Sequence, residues 1–287
     1  MAVYMFPGQG SQSKGMGKNL FERYPSFVKK ADDVLGYSLS ELCLENPDDK
    51  LTQTQFTQPA LFIVSVLSYL DEVENSGILP DYVIGHSIGE YAALFASGLL
   101  DFEVALKLVV ARGDLMSQAE NGAMAAVIGL KKEQVEKILV TNQINRVWVA
   151  NDNSSSQIVI SGEQTIVPGL AKLFQDNGAS YFVPLKVSGA FHSPLMQEAR
   201  ERYNQILSQA QITDVCIPVI SNVEATPYDQ NKVQDLLSEQ ITGQVRWRET
   251  IMYLLQRGEV NFKEIGPGNV LTKLVSKIAD DAVTKVA

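Results

Sequence analysis

The sequence is poor in the residues that build metal sites and disulfide frameworks. Of its 287 residues, two are cysteine and two are histidine. Cys43 and Cys216 stand alone, without the spacing of metal ligands, which favours free thiols in a reducing cytosol over a disulfide framework. We therefore expect a cytoplasmic protein without a metal site.

Long apolar runs and an excess of basic charge are missing as well. No apolar run reaches the roughly 18 residues needed to span a bilayer, and Met1–Phe6 lacks the basic segment of a signal peptide. The net charge of −9 argues against nucleic acid as a general partner. We expect neither a membrane nor nucleic acid as a partner. The apolar content of 45% and the length allow a large core, in one domain or in a large and a small one.

The most informative segment is 85–89, with the sequence GHSIG. It lies between an apolar run at 82–84 and a helix-like run at 90–94, so it predicts a strand, a sharp turn and a helix. Ser87 would stand at the apex, beside the free N–H groups and the positive dipole end of the helix. This arrangement is typical of a serine nucleophile in acyl transfer. The alternative is a plain strand–helix turn built from small residues.

A nucleophilic serine needs a base, and the chain offers two histidines. His86 adjoins Ser87 in the chain, so its side chain should point away and serve packing or hydrogen bonding in the turn. His192 lies in a loop that follows the apolar run 182–185. We therefore predict His192 as the base, subject to a test of its geometry.

A glycine-rich loop near the N-terminus could be mistaken for a nucleotide-binding loop. Gly8 and Gly10 begin a G-x-G pattern, but Ser13 stands where the dinucleotide fingerprint needs glycine. Gly10 and Gly15 have the spacing of a P-loop, but Met16 replaces its lysine. We reject both nucleotide interpretations.

Strand and helix patterns alternate over the first part of the chain, as in a parallel sheet covered by helices. The predicted elements are a strand at 2–6, helices at 19–35 and 58–75, and a strand at 82–84. The middle of the chain has the order β-α-β-β-α-β, a split βαβ arrangement. Its predicted strands are 124–130, 147–150, 157–161 and 181–187, and its predicted helices are 131–140 and 165–177.

These elements predict an α/β fold with two domains. Residues 1–123 and 189–287 would form a large α/β-hydrolase-like domain with a parallel sheet, and residues 124–188 an inserted small ferredoxin-like domain. Ser87 belongs to the large domain and His192 follows the small one. We therefore expect the site in the cleft between the domains, where ligand pockets are common.

Several motifs in order resemble those of the malonyl-CoA:acyl carrier protein transacylase family. They are FPGQGSQ at 6–12, TQPAL at 57–61, GHSIGEY at 85–91, GAFH at 189–192 and EIGPG at 264–268. Within the family, segments 51–61 and 221–228 are similar to the discrete, trans-acting acyltransferases of modular polyketide synthases. The resemblance implies transfer of malonyl from malonyl-CoA to the phosphopantetheine thiol of an acyl carrier protein. It implies no cofactor bound to the enzyme itself.

The resemblance also implies roles for particular residues. Ser87 would carry the malonyl group in a ping-pong mechanism, with His192 as base in both half-reactions. The backbone N–H groups of Gln9 and Ile88 would hold the oxyanion. A main-chain carbonyl, matching Gln240, would orient the histidine.

Three further residues match substrate-binding positions of the family: Arg112, Phe191 and Gln58. Arg112 follows Ser87 by 25 residues (112 − 87) and would pair with the malonyl carboxylate, since a guanidinium offers two parallel donors. Phe191 would crowd an α-methyl branch and so favour malonyl.

Four alternatives stay open. A family member that hydrolyses acyl groups from carrier proteins is disfavoured by Arg112, because such enzymes handle uncharged chains. A malonyltransferase of fatty acid synthesis shares these motifs. A serine hydrolase shares the turn, but α/β-hydrolases order Ser, Asp or Glu, then His, usually near the C-terminus, and here about a third of the chain follows His192. A catalytically silent docking protein is disfavoured by the presence of both Ser87 and His192.

Overall fold

A computed structural model of the protein describes residues 2–187 and 189–284. The strands are β1 (Ala2–Phe6), β2 (Tyr82–Gly85), β3 (Gly122–Ile128), β4 (Val147–Ser154), β5 (Gln157–Glu163), β6 (Tyr181–Pro184) and β7 (Asn261–Glu264). The helices are α1 (Lys18–Arg23), α2 (Pro25–Leu35), α3 (Leu39–Glu45), α4 (Thr54–Ser76), α5 (Gly89–Ala96), α6 (Phe102–Ser117), α7 (Lys132–Thr141), α8 (Ala171–Asp176), α9 (Gln197–Leu207), α10 (Val233–Gln240), α11 (Trp247–Leu255) and α12 (Val270–Thr284). Short 3₁₀ turns cover Pro47–Thr52, Val167–Leu170, Pro194–Met196 and Gln230–Lys232. None of these described helices is long and apolar enough to cross a membrane.

The first sheet is parallel and has the order β2-β1-β7. The central strand β1 is buried on both faces, as parallel strands between helices usually are. Tyr4 and Phe6 pack into the core on one face, whereas Val3 and Met5 pack on the other face with residues of α11 and α12. Because successive side chains of a strand point to opposite faces, β1 presents apolar residues to helices on both sides of this sheet.

The second sheet is antiparallel and has the order β4-β5-β3-β6. Ala125 and Val127 of β3 pack on one face, in a core shared with α7 and α8. Their neighbours Met124 and Ala126 face the other way and join the core of the first sheet. The predicted α/β fold, with a parallel sheet and a separate small βαββαβ sheet, is confirmed. The domain limits at 124 and 188 stay a prediction.

Backbone and side-chain bonds join the two sheets near α11. The Val245 N–H donates to Ala150 O at 2.8 Å, and the Asp152 N–H donates to Val245 O at 3.0 Å. The Asp152 carboxylate is fully buried and accepts from Arg248 Nε at 3.0 and 3.1 Å. These contacts fix the small sheet to α11, which packs on the large sheet. The ion pair is needed because a buried carboxylate requires a charged partner.

The structure corrects several predicted boundaries, and proline explains two of them. The predicted helix 19–35 is two helices, because Pro25 begins α2 and cannot donate to the preceding turn. The predicted helix 165–177 is a 3₁₀ turn containing Pro168, followed by the short α8. Strand β4 continues past its predicted end at 150 to Ser154, with register shifts in its pairing to β5. Strand β6 ends at Pro184, so the prediction of a strand to 187 was wrong.

Candidate active site

The GHSIG segment forms a sharp elbow between β2 and α5. Ser87 at its apex has φ of 52°, a left-handed conformation that is costly for a non-glycine residue. The flanking glycines make the elbow possible. A Cβ on Gly85 would lie 2.1 Å from the backbone of Gly89, and a Cβ on Gly89 would lie 2.2 Å from Phe6 O. Glycine is therefore required at both positions for the close approach of β2, α5 and β1.

The structure brings Ser87 and His192 into direct contact. Ser87 Oγ lies 2.7 Å from His192 Nε2, and His192 Nδ1 lies 2.8 Å from the main-chain oxygen of Gln240. A carbonyl oxygen only accepts, so Nδ1 carries the ring proton and donates it to Gln240. Nε2 is therefore left as the acceptor for the serine hydroxyl proton, which is the geometry of a nucleophile and its base.

The electrostatic surroundings keep His192 neutral. Burial, and second the positive charge of Arg112, lower the pKa of His192 to about 3. The Gln240 carbonyl works in the opposite direction but is weaker. The ring is therefore in its basic form at neutral pH.

Arg112 points from α6 into the same site and is fully buried. Its Nη1 donates to Gln58 Oε1 at 2.6 Å. Its Nη2 donates to Gln240 Oε1 at 2.8 Å and to Ser87 Oγ at 3.2 Å. The guanidinium also lies over the ring of Tyr91, 5.9 Å from the centroid. A permanent cation thus stands within hydrogen-bond distance of the candidate nucleophile.

Two backbone amides are free to bind a developing oxyanion. Ile88 stands at the start of α5, and Gln9 lies in the loop after β1. Within the described residues, neither N–H donates a hydrogen bond to another protein atom. Gly8 brings this loop close to the elbow, since a Cβ there would lie 2.7 Å from His86 O. Free amides at a helix start and in a glycine-rich loop are suited to an oxyanion.

A cavity of about 80 Å³ contains the candidate site. Ser87, His192, Gln9, Gln58 and Phe191 line it, together with Leu185 and Asn151 from the small-sheet side. A groove of about 230 Å³ shares Gln9 and Leu185 with it and runs between the small sheet and α12. Six of the eight predicted site residues therefore line this cavity, and the other two, Arg112 and Gln240, bond to residues that line it.

Sequence reasoning missed two residues of the elbow, Asn222 and Glu90. Asn222 Oδ1 accepts the Ser87 N–H at 2.8 Å, and its Nδ2 donates to Gly85 O at 2.6 Å. Glu90 is fully buried and accepts from the Asn222 N–H at 2.8 Å. Glu90 lies in the family motif GHSIGEY and at a predicted helix start, where an acid is common because of the helix dipole, so neither signal pointed to a role in the site. His86 has the predicted packing role, with its Nε2 2.8 Å from Asn153 Oδ1.

A serine on an elbow, a neutral histidine and two free amides define the class of enzymes that transfer acyl groups. The chain belongs to the acyl transferase domain family, whose model matches residues 3–286. The resemblance identified from the motifs is thereby confirmed.

Individual relatives share nearly the whole chain. The polyketide biosynthesis malonyl CoA-acyl carrier protein transacylase BaeC of Bacillus velezensis is 48% identical, over 98% of both chains. The crystal structure of a malonyl CoA-acyl carrier protein transacylase from Burkholderia pseudomallei is 46% identical with a TM-score of 0.94, covering 98% of each chain. A type II PKS acyl-carrier protein in complex with its malonyl-transacylase is also similar, at 35% identity and a TM-score of 0.92, covering 97% of this chain and 93% of the other.

Proposed function

We propose that this acyltransferase moves a malonyl group from malonyl-CoA to the phosphopantetheine thiol of an acyl carrier protein. The observation that carries the proposal is the buried guanidinium of Arg112, 3.2 Å from Ser87 Oγ. A buried cation beside a nucleophile favours an acyl group with a carboxylate, because a bidentate ion pair would offset the cost of its burial. The names of BaeC and of the Burkholderia structure give the same donor and acceptor.

The first half-reaction follows from the geometry. Ser87 Oγ attacks the thioester carbonyl while His192 Nε2 takes the hydroxyl proton. The N–H groups of Gln9 and Ile88 hold the oxyanion of the tetrahedral intermediate. The intermediate then collapses, the C–S bond breaks, and CoA leaves with the proton from His192. Malonyl remains as an ester on Ser87.

The second half-reaction repeats these steps with a different nucleophile. The phosphopantetheine thiol of the carrier protein gives its proton to His192 and attacks the serine ester. Collapse of the second tetrahedral intermediate returns the proton to Ser87 and releases malonyl-carrier protein. Phe191 and Gln58 line the cavity that would hold the acyl group. The ring of Phe191 would crowd an α-branch.

We further propose that the enzyme serves a polyketide synthase as a discrete acyltransferase in the cytoplasm. The 48% identity to BaeC over nearly the full length supports the pathway. The unpaired thiols of Cys43 and Cys216 are in keeping with a reducing compartment. The alternative is a malonyltransferase of fatty acid synthesis, which would use the same residues.

Incubation with labelled malonyl-CoA tests the proposal. Without a carrier, label should accumulate on the enzyme. Holo carrier protein should remove that label, and apo carrier protein, which lacks phosphopantetheine, should not. Release of free malonate as fast as carrier loading would instead identify a hydrolase. Comparing kcat/KM for a polyketide carrier and a fatty-acid carrier separates the two pathways.

A further inference from the structure

Glu90 is a fully buried carboxyl group that the mechanism does not use. It lies on the first turn of α5, directly after the elbow. Its Oε1 accepts from the Asn222 N–H at 2.8 Å and from the Tyr228 hydroxyl at 2.9 Å. Its Oε2 accepts from Gln240 Nε2. A buried carboxyl with three donors directed at it is a built feature of the site, because its burial is costly without them.

The Gln240 amide connects this carboxyl to the catalytic groups. Gln240 Nε2 donates to Glu90 and also to Ser87 O at 3.0 Å. Gln240 Oε1 accepts from Arg112 Nη2 at 2.8 Å. The main-chain oxygen of the same residue holds His192 Nδ1 at 2.8 Å. One buried residue therefore contacts the nucleophile, the base and the candidate carboxylate-binding cation.

The orientation of the Gln240 amide depends on Glu90. An amide can rotate by half a turn and exchange its oxygen and nitrogen, since the two ends have nearly the same shape. An acceptor at Glu90 draws the nitrogen end, and the donor-only guanidinium of Arg112 then meets the oxygen end. With a donor at position 90, Gln240 Nε2 would face an N–H group and keep only Ser87 O as its acceptor. The amide would then shift away from position 90, and its oxygen would lose its place against Arg112.

We propose that Glu90 is a positioning residue that sets malonyl specificity by fixing the Gln240 amide, and through it the guanidinium of Arg112. This role rests on the proposed malonyl transfer. Glu90 does not touch the substrate cavity, so it acts only through its neighbours. Burial raises the pKa of the Glu90 carboxyl to about 7, against the opposing hydrogen bonds and the charge of Arg112. Oε2 can accept from Gln240 whether or not Oε1 is protonated, so the orienting contact does not require ionisation.

The test is Glu90→Gln, which keeps the shape of the side chain. The amide that replaces the carboxyl can still accept from Asn222 and Tyr228 with its oxygen, but its nitrogen would then face Gln240 Nε2. We expect kcat/KM for malonyl-CoA in self-acylation to fall roughly ten- to hundredfold more than kcat/KM for acetyl-CoA, as for the loss of one hydrogen bond to a charged group. The rate at which a neutral fluorophosphonate labels Ser87 should change by about the same factor as kcat/KM for acetyl-CoA, because neither reagent presents a carboxylate.

Tyr228→Phe is the matched control. It removes one hydrogen bond from Oε1 and leaves the contact between Glu90 Oε2 and Gln240 in place. For this variant, the ratio of kcat/KM for malonyl-CoA to kcat/KM for acetyl-CoA should stay within about twofold of the wild-type ratio. If Glu90→Gln does not fold, Gln240→Leu removes the same side-chain contact to Arg112 while keeping the main-chain oxygen for His192, and it should show the same loss of malonyl preference.

The outcomes separate the two proposals. Equal losses for malonyl-CoA and acetyl-CoA in Glu90→Gln, or in Gln240→Leu where the first does not fold, would overturn the positioning role and leave Glu90 a structural residue. Failure of the wild-type enzyme to form any malonyl ester would instead overturn the proposed function.

Discussion

At the scale of single residues, His192 combines a carbonyl partner with a nearby cation. The Gln240 carbonyl orients the ring without adding negative charge, and Arg112 makes protonation of the ring unfavourable. A substrate carboxylate bound to Arg112 would offset that charge at the moment when His192 must accept a proton. The two residues are therefore expected to be coupled through their charges.

This coupling predicts a pH dependence. Because the pKa of His192 is lowered from 6.5 to about 3, the acidic limb of kcat/KM for acetyl-CoA should lie well below pH 6.5. Arg112→Ala removes a cause of that lowering, so the pKa should rise and the limb should move to higher pH. Acetyl-CoA is the substrate of choice, because it has no carboxylate that the variant would fail to bind.

Arg202→Ala is the control for this experiment. Arg202 is exposed on α9 and bonds to Gln118, and it is not among the groups that shift the pKa of His192. Its pH profile should match that of the wild type. An acidic limb that Arg112→Ala leaves unmoved would contradict the coupling.

Motifs were sufficient to predict much of the site at this scale, but not all of it. Ser87, His192 and Arg112 are recognisable because their residue types and spacing reflect the chemistry itself. Asn222 and Glu90 are not, because Asn222 reaches the elbow from 135 residues away and Glu90 has its partners Asn222, Tyr228 and Gln240 far along the chain. Such partners depend on the tertiary fold, which a single sequence does not display.

At the scale of elements, the elbow joins β1, β2 and α5 at backbone contact. Gly89 allows this contact, since a side chain there would meet Phe6 O at 2.2 Å and Pro7 O at 2.8 Å. Backbone atoms in a central strand cannot move aside easily. The elbow therefore depends on its glycines for stability as well as for the conformation of Ser87.

Substitution Gly89→Ala should accordingly destabilise the fold and abolish self-malonylation. We expect the free energy of unfolding, measured by urea denaturation, to fall by on the order of 3 kcal/mol, as for overpacking at a rigid site. Gly169→Ala is the control, because a Cβ there has no atom within 4 Å, and it should change neither quantity. Equal stability of the two variants would show that the elbow relaxes freely.

The errors of the predicted elements have the same local origin. The sequence pattern predicted one helix at 19–35, where the structure has two, and Pro25 marks the break. The apolar pattern continues through the break because both helices bury residues against the same core. Periodicity predicted the burial correctly but could not detect the change of direction.

At the scale of the whole molecule, the contact between Asp152 and Arg248 joins the small sheet to α11. Arg248→Ala would leave a fully buried carboxyl group without its cation. We expect a loss of about 3 kcal/mol or more in the free energy of unfolding. Lys172→Ala breaks an exposed pair with Asp176 and should cost about 0.5 kcal/mol or less in the same denaturation experiment. Similar losses for the two variants would contradict a fixing role for Arg248.

Docking of the carrier protein is the other question at this scale. Five basic residues lie near the site motifs in the sequence and are candidates for a docking patch: Lys186, Arg246, Arg248, Lys273 and Lys277. The structure gives Arg246 and Arg248 other roles, because they bond to Glu249 and Asp152. The three lysines are exposed. Lys186 and Lys273 adjoin residues that line the groove between the small sheet and α12, whereas Lys277 pairs with Asp281. An acidic carrier would need such local positive charge on a protein of net charge −9.

Charge reversal tests this patch. Lys186→Glu with Lys273→Glu should raise the KM for carrier protein and leave self-malonylation nearly unchanged, and the defect should shrink at high salt. Lys18→Glu with Lys29→Glu makes the same change of net charge on exposed positions of α1 and α2, and should have little effect. Equal impairment of both half-reactions by the first pair would place those lysines on the CoA phosphates or in the fold.

The proposed mechanism requires that Ser87 carry the malonyl group, and peptide mass spectrometry after mixing with malonyl-CoA detects that ester. We expect a malonyl ester on the peptide that contains Ser87, and no ester in Ser87→Ala. His192→Ala should form the same ester roughly 10²–10⁴ times more slowly, as for the loss of a positioned base. A malonyl adduct of undiminished yield on Ser87→Ala would show that another residue is the nucleophile.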